Sequence, residues 1–281
     1  MNSLETLSSC PLCDSANFGH LDEAFHFDRC TSCGFVFDNP RPTQVAIAEH
    51  YSQSGQYDGW LANIEAREAM WKRRLAKMLP HAVPGTLLDV GTGIGQFLAL
   101  ARPHFSDVYG TELSESAIRI AKERYGLHIF HGTIEALALG SYDNLTMIHV
   151  LEHVVSPRYT LKRCFELLNS GGRLFLCVPN DIRSWTSRLR ALRARIRPGT
   201  NSPMIGLPRC GVLDEIHLSH FTAETLSFGV RQAGFRVLDV GTDPVYAATG
   251  IRLFAYHLNY GVHTVLNLPT YQALWLVAEK P

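Results

Sequence analysis

The chain has 281 residues, with 26 basic and 26 acidic side chains and therefore no formal net charge; 46% of its residues are apolar and 19% charged. That length supports one large domain or two unequal ones, and the composition excludes a disordered, collagen-like or coiled-coil chain. Zero net charge excludes a globally basic nucleic-acid binder, because neutralising phosphates needs a surplus of Lys and Arg, so nucleic acid is not expected as a partner.

The N-terminus, MNSLETLSSCPLC, has no basic stretch leading into an apolar run, so no secretory signal is expected. The seven cysteines are Cys10, Cys13, Cys30, Cys33, Cys164, Cys177 and Cys210. An odd number in a chain without an export signal argues against a disulfide framework and for a cytoplasmic location. Four of them form two C-x-x-C knuckles, 10–13 and 30–33, separated by 16 residues. Two such pairs can place four thiolates at the corners of a tetrahedron, the requirement of a structural zinc site. Cys10, Cys13, Cys30 and Cys33 are therefore the expected ligands of Zn(2+), and the metal would supply folding energy to a segment poor in large apolar residues. With all four positions filled by protein, that zinc has no open position for catalysis.

N-P-R-P at 39–42 closes the ribbon, since proline resists both helix and central strand. Residues 60–79 place Trp60, Ile64, Arg67, Trp71, Leu75 and Leu79 at three- and four-residue steps, predicting a helix that ends at Pro80. Strands are predicted at 86–90, 107–112, 128–131, 144–150, 173–178, 235–240 and 272–278. A helix is predicted from Ser156-Pro157, an N-cap followed by proline at the first helical position, to Gly171-Gly172. The apolar stretch 248–268 is interrupted by Arg252, His257, Asn259 and His263, so it is not expected to span a membrane. Alternating strands and helices predict an α/β fold with a doubly wound sheet.

The segment L-L-D-V-G-T-G-I-G-Q-F, 87–97, follows a strand and opens a helix. Gly91, Gly93 and Gly95 allow a tight turn and close approach to a ligand. Glu112 ends the next strand, 21 residues after Gly91, where a carboxylate can accept the hydroxyls of a ribose. By itself this pattern suits NAD or S-adenosylmethionine. The G-x-G-x-G spacing puts Gln96 where a dinucleotide fingerprint has its third glycine, which favours a ligand without phosphate.

D-V-G-T-G-I-G, G-T-E-L-S at 110–114, H-V-L-E-H-V at 149–154 and L-N-S-G-G-R-L-F-L-C-V-P-N at 168–180 resemble, in order and spacing, the class I S-adenosylmethionine-dependent methyltransferases. The resemblance covers 85–281, and the ribbon with N-P-R-P resembles a bacterial subgroup that methylates sugars, surface glycans or secondary metabolites. It implies a Rossmann-like seven-stranded sheet with a final antiparallel strand, preceded by a small zinc ribbon. The implied units are a zinc-ribbon module at 1–45, a helical linker at 46–84 and a methyltransferase domain at 85–281, with a lid insertion at 183–215. By position, Asp89, Gly91, Gly93 and Gly95 would surround the amino-acid part of S-adenosyl-L-methionine and Glu112 its ribose. Gly132, Thr133 and Ile134 would lie near the adenine, with threonine at a position that is often acidic in the family. His149 is expected at the cofactor as well.

A hydroxyl acceptor needs a general base or a metal to take its proton. Candidates are His149, Glu152 and His153 after the fourth strand, and His217 and His220 in I-H-L-S-H-F-T. His153 is expected as the base, with His217 and His220 positioning the acceptor. H-V-L-E-H also resembles the E-x-x-E-H segment of quinone-biosynthesis O-methyltransferases, whose side chains hold a divalent cation. Histidine at 149 in place of the first glutamate would suit zinc or iron better than magnesium.

Charge is unevenly distributed. Residues 1–50 carry seven acidic and two basic side chains, whereas 183–198 carry six arginines and no acid. In 183–198, Trp185, Leu189, Leu192 and Ile196 recur on one helical face. Three readings are open: an anion-binding lid, a peripheral membrane contact, or a solvated helix with an ordinary core stripe. The function expected is methyl transfer to a small molecule or sugar or glycan precursor, at oxygen. The alternatives are a quinone or lipid O-methyltransferase at the membrane surface, and a non-catalytic zinc-ribbon interaction protein on a methyltransferase scaffold.

Overall fold

In the computed structural model, the residues described are 4–52, 61, 64–138, 140–209, 216–248, 250–266 and 268–281. Trp60, Cys210 and part of the expected insertion, 210–215, lie outside them. The N-terminal region holds the short strands β1 (Leu4–Glu5), β2 (Phe18–Asp22), β3 (Phe27–Cys30), β4 (Val36–Asp38) and β5 (Arg41–Pro42), followed by helix α1 (Gln44–Ser52). Helix α2 (Ile64–Met78) ends in a 3-10 turn at Leu79–His81 containing Pro80.

The large sheet contains β6 (Thr86–Val90), β7 (Asp107–Glu112), β8 (Ile129–His131), β9 (Tyr142–Ile148), β10 (Leu168–Pro179), β12 (Arg236–Thr242) and β13 (Ala273–Glu279), in the order β12-β13-β10-β9-β6-β7-β8. Only β13 runs antiparallel to its neighbours, β10 and β12. The fold is thus α/β with a mostly parallel seven-stranded sheet. The intervening helices are α3 (Gln96–Ala101), α4 (Glu115–Tyr125), α5 (Pro157–Leu167), α6 (Trp185–Ile196), α7 (Ala223–Gln232) and α8 (Gly250–Val265). Helix α5 starts where serine and proline place it: Ser156 Oγ accepts the Tyr159 N–H, and Pro157 occupies the first turn.

Alternate residues of the central strands feed two cores, as a buried sheet requires. Leu88, Val90, Leu145, Met147, Leu174 and Leu176 face α5 and α7. Leu87, Phe175, Cys177, Trp275 and Val277 face α2 and α3. The ribbon joins the first of these cores through Cys10, Leu12, Phe35 and Phe37. Its sheet, ordered β11-β4-β3-β2, is completed by β11 (Ser219–His220), a strand supplied from 182 residues further along the chain, where Ser219 pairs with Phe37 and His220 with Val36. Phe35 packs on Phe221 at 5.0 Å between ring centroids. The ribbon is therefore built into the body. Among the described residues no helix is long and apolar enough to cross a membrane.

Candidate active site

The C-terminal ends of β6 and β7 meet at the glycine loop. Gly91, Gly93 and Gly95 have φ of 67°, 55° and 81°, the left-handed region that favours glycine. At Gly95 a Cβ would also meet Leu127 Cδ1 at 2.7 Å and Ala121 Cβ at 2.9 Å, so this glycine lets α3 lie against α4. Glu112 ties the loop to the next strand. One carboxylate oxygen accepts the Gly93 N–H at 2.9 Å, and the other accepts Leu113 N–H and Ser114 N–H at 2.8 and 2.9 Å. Asp89 is buried beneath the loop, with one oxygen accepting the Thr92 hydroxyl at 2.7 Å and the other the Thr146 hydroxyl at 2.6 Å. Burial pushes its carboxyl up to about 6, against the opposing effect of the two hydroxyls.

This loop forms one wall of a cavity of about 1220 Å³. Asp89, Gly91, Gly93, Glu112, Thr133, Ile134 and His149 all line it, whereas Gly95 stands behind at the start of α3. Ligand sites for drug-sized molecules span roughly 300–1,000 Å³, so the volume suits a cofactor together with an acceptor. Near Thr133 the acidic lining residue is Glu135, held by the Thr160 hydroxyl at 2.6 Å. It lies two residues beyond the position where the sequence pattern led one to look.

The histidines lie after β9 and around β11. His149 adopts φ 55°, an uncommon conformation for a non-glycine residue, and its N–H donates to Cys177 O at 2.9 Å. Its Nε2 accepts from Arg74 Nη2 at 2.8 Å, and its Nδ1 lies 3.2 Å from Glu152 Oε1. Arg74 comes from α2 and is fully buried against Asp243, to which its Nε donates at 2.9 Å. Neither Arg74 nor Asp243 was singled out from the sequence. They stand 169 residues apart, and no local pattern marks a pair formed only by folding.

His153 Nδ1 donates to Ile216 O at 2.6 Å, which leaves Nε2 as the basic nitrogen of that ring. His217 packs edge-on against His153, with centroids 4.9 Å apart, and its Nδ1 donates to Asp181 Oδ2 at 3.1 Å. His153, His217 and Asp181 line the cavity. His220 does not: it is 3% exposed and reaches the cavity only through Asp181. Asp181, in V-P-N-D after β10, is a site residue the sequence reading passed over. Glu152, His153 and His217 bring a carboxylate oxygen and two imidazole nitrogens within 4.8 Å of one another. Among the described residues, buried Glu152 Oε2 has no hydrogen-bond partner.

The methyltransferase-domain family profile matches residues 64–240. The chain belongs to that family. Its fold and domain are those of an S-adenosylmethionine-dependent methyltransferase, and the glycine loop and Glu112 line its cavity. Solved methyltransferases share the fold. Magnesium protoporphyrin IX methyltransferase from Synechocystis PCC 6803, with bound SAH, aligns at TM-score 0.55 and 14% identity, covering 84% of this chain and 99% of the other. An S-adenosylmethionine-dependent methyltransferase from Mesorhizobium loti aligns at TM-score 0.51 and 19% identity, covering 73% of this chain and 95% of the other. Among curated proteins, ubiquinone biosynthesis O-methyltransferases are similar. The Coxiella burnetii (strain Dugway 5J108-111) protein is 36% identical over 101 residues, 34% of this chain and 43% of the relative. The Nitrosomonas europaea protein is 33% identical over 107 residues, 34% of this chain and 44% of the relative. The match thus spans less than half the length of these relatives.

Away from this site, the N-terminal cysteines bring Cys10 and Cys33 Sγ to 3.8 Å and Cys13 and Cys30 Sγ to 3.6 Å. A tetrahedron with Zn–S bonds of about 2.3 Å has edges of about 3.8 Å. Burial pushes the Cys10 thiol up to about 12 against the backbone N–H groups of Cys13 and Leu12, whereas at Cys30 burial is outweighed by the N–H groups of Cys33 and Ser32 and the thiol falls to about 7. The four residues fit a structural zinc ion.

Proposed function

We propose that this methyltransferase methylates a hydroxyl oxygen of a small acceptor of phenol or quinol type, with a structural zinc held by Cys10, Cys13, Cys30 and Cys33. The observation that carries the reading is the pair His153 and His217 in the wall of the cavity that the glycine loop also lines, both with Nδ1 engaged as donor. The acceptor oxygen attacks the sulfonium methyl, the S–CH3 bond breaks, and S-adenosylhomocysteine leaves as a neutral sulfide. The hydroxyl proton must go elsewhere, because a neutral hydroxyl is a weak nucleophile. His217 Nε2 takes it: Asp181 orients that ring and stabilises its charged form, as the carboxylate does in a catalytic triad. His153 then positions the acceptor. These two roles reverse the order expected from the sequence, because the carboxylate that decides between the rings is Asp181.

Similarity to ubiquinone biosynthesis O-methyltransferases supports a quinol-like acceptor. Sugar or glycan precursors remain the competing class, and the arginines of α6 are the feature that favours them. A labelled methyl-transfer screen with catechols, short-chain quinols and nucleotide sugars separates the classes. Transfer to a catechol or quinol oxygen, lowered at least tenfold by His217→Ala with cofactor affinity unchanged, is the expected result. Transfer only to nucleotide sugars, or to a nitrogen acceptor, would replace the reading.

A further inference from the structure

The ribbon does more than sit beside the catalytic domain. Asp38, on the ribbon strand β4, is 1% exposed, and its Oδ1 is 2.8 Å from His220 Nε2. The other nitrogen of the same ring, Nδ1, is 3.3 Å from Asp181 Oδ2, and that same oxygen accepts from His217 Nδ1 at 3.1 Å. Four side chains therefore form one continuous path from the ribbon to the cavity wall. The backbone holds the path in register: Asp38 N–H donates to Leu218 O at 3.1 Å, and Leu218 N–H donates to Glu152 O at 2.8 Å. The Phe27 ring stands edge-on to His220 with centroids 5.2 Å apart.

We propose that Asp38 and His220 are positioning residues of the methyl-transfer site, acting through Asp181 on His217, so that the ribbon completes the acceptor side of the catalytic domain. The physical argument begins with cost. Two carboxylates and an imidazole at this depth are expensive to desolvate, and an apolar trio of the same size would fasten the ribbon at less cost. The arrangement has a geometric consequence instead. With acceptors on both nitrogens, His220 is a double donor, and its Nδ1–H fixes Asp181 Oδ2. A fixed Asp181 oxygen admits one tautomer of His217, the one that carries hydrogen on Nδ1 and its lone pair on Nε2. Removing the Asp38 carboxylate takes away the anchor of Nε2, so the ring can turn and its Nδ1–H no longer fixes one Asp181 oxygen. Asp181 is then held from one side only, and His217 loses its fixed tautomer.

The inference rests on the base role given to His217, but its test does not need the acceptor. The probe is the nitrogen-15 spectrum of histidine in the zinc-loaded full chain at pH 7.5, with the His217 signals assigned through His217→Gln. The wild type should show His217 as the Nδ1–H tautomer. In Asp38→Asn and in His220→Gln, the ratio of Nδ1–H to Nε2–H tautomer at His217 should fall about tenfold, the worth of one charge-assisted hydrogen bond. Asp181→Asn should do the same, and Asp38→Asn added to it should change nothing more, because both act on one path. S-adenosylhomocysteine affinity and zinc content should stay at wild-type levels throughout. A His217 signal unchanged in both folded variants would overturn the proposal and leave Asp38–His220 as a fastening of the ribbon. If His217→Ala leaves turnover intact while the tautomer responds, the function reading fails and the positioning path stands.

Discussion

Asp89 shows how one carboxylate can be both buried and useful. Its two oxygens are occupied by Thr92 and Thr146 hydroxyls, and burial raises its pKa to about 6. Because the folded value lies above the unfolded one, ionisation is disfavoured in the empty protein, and Asp89 is mostly protonated below pH 6. Bound at this end of the cavity, as the sequence motif leads one to expect, S-adenosylmethionine would bring a sulfonium and an ammonium, and both would favour the carboxylate. Cofactor affinity should therefore be constant above about pH 7 and weaken as pH falls, by about tenfold at pH 5. Calorimetry at pH 5 and 7.5 measures this. S-adenosylhomocysteine, which lacks the sulfonium charge, should show a smaller change, and Asp89→Asn should abolish the dependence for both. That Asp89, the glycines and Glu112 come together at one loop was legible in the sequence, because the backbone demands of the motif are local. Asp38, Arg74, Asp181 and Asp243 were not. Each acquires its role from a partner brought in by the fold, across 182 residues for Asp38 and His220, and a lone acidic or basic residue in a sequence reads as surface.

Secondary structure separates along the same line. The strands of the large sheet match their sequence pattern closely, since β-branched and aliphatic runs between turns leave few alternatives; β10 starts five residues earlier than predicted, at Leu168. The arginine helix α6 was readable as a helix but not as to which face it buries. Its buried residues are Ser187, Ala191 and Ala194, and the apolar stripe points outward, with Trp185 47%, Leu192 54% and Ile196 73% exposed. The reason is close packing: a Cβ on Gly206 would sit 2.1 Å from Ser187 O, so only small side chains fit on the inner face. That arrangement excludes the core-stripe reading. Apolar side chains beside exposed arginines match the interface of an anionic bilayer, and Thr186 and Arg190 of the same helix line the catalytic cavity. An acceptor dissolved in lipid would then enter beside the docked helix. The protein should sediment with phosphatidylglycerol vesicles at low salt and not with phosphatidylcholine alone. Leu192→Asp combined with Ile196→Asp should reduce binding at least tenfold without changing the melting temperature, since neither side chain is buried. Equal sedimentation of that double variant would assign the stripe to another partner.

The ribbon, the large sheet and the cavity behave as one unit because they share a core and a strand. Cys33 lies five residues before Asp38, with Phe35 and Phe37 between them packed into the core common to both parts. A zinc ion at the cysteines would fix the start of β4, β4 fixes β11, and β11 carries His220 to Asp181. The glycine loop belongs to the other end of the cavity and has no part in this sequence of contacts. Loss of metal should therefore divide the two functions of the site. Zinc content of about one per chain is expected from mass spectrometry under native conditions. Chelation with phenanthroline, or Cys30→Ser, should open residues 1–45 to protease and lower the melting temperature, because Leu12, Phe35 and Phe37 leave the shared core. Methyl transfer should then fall at least tenfold, whereas S-adenosylhomocysteine affinity should change by less than about threefold, since Asp89, Glu112 and the loop glycines are held by β6, β7 and β9. Equal loss of both would show that the ribbon supports the whole sheet, and retention of both would show that the cysteines hold only themselves. The divided outcome is the one the contacts require, because the two ends of the cavity are anchored by different parts of the chain.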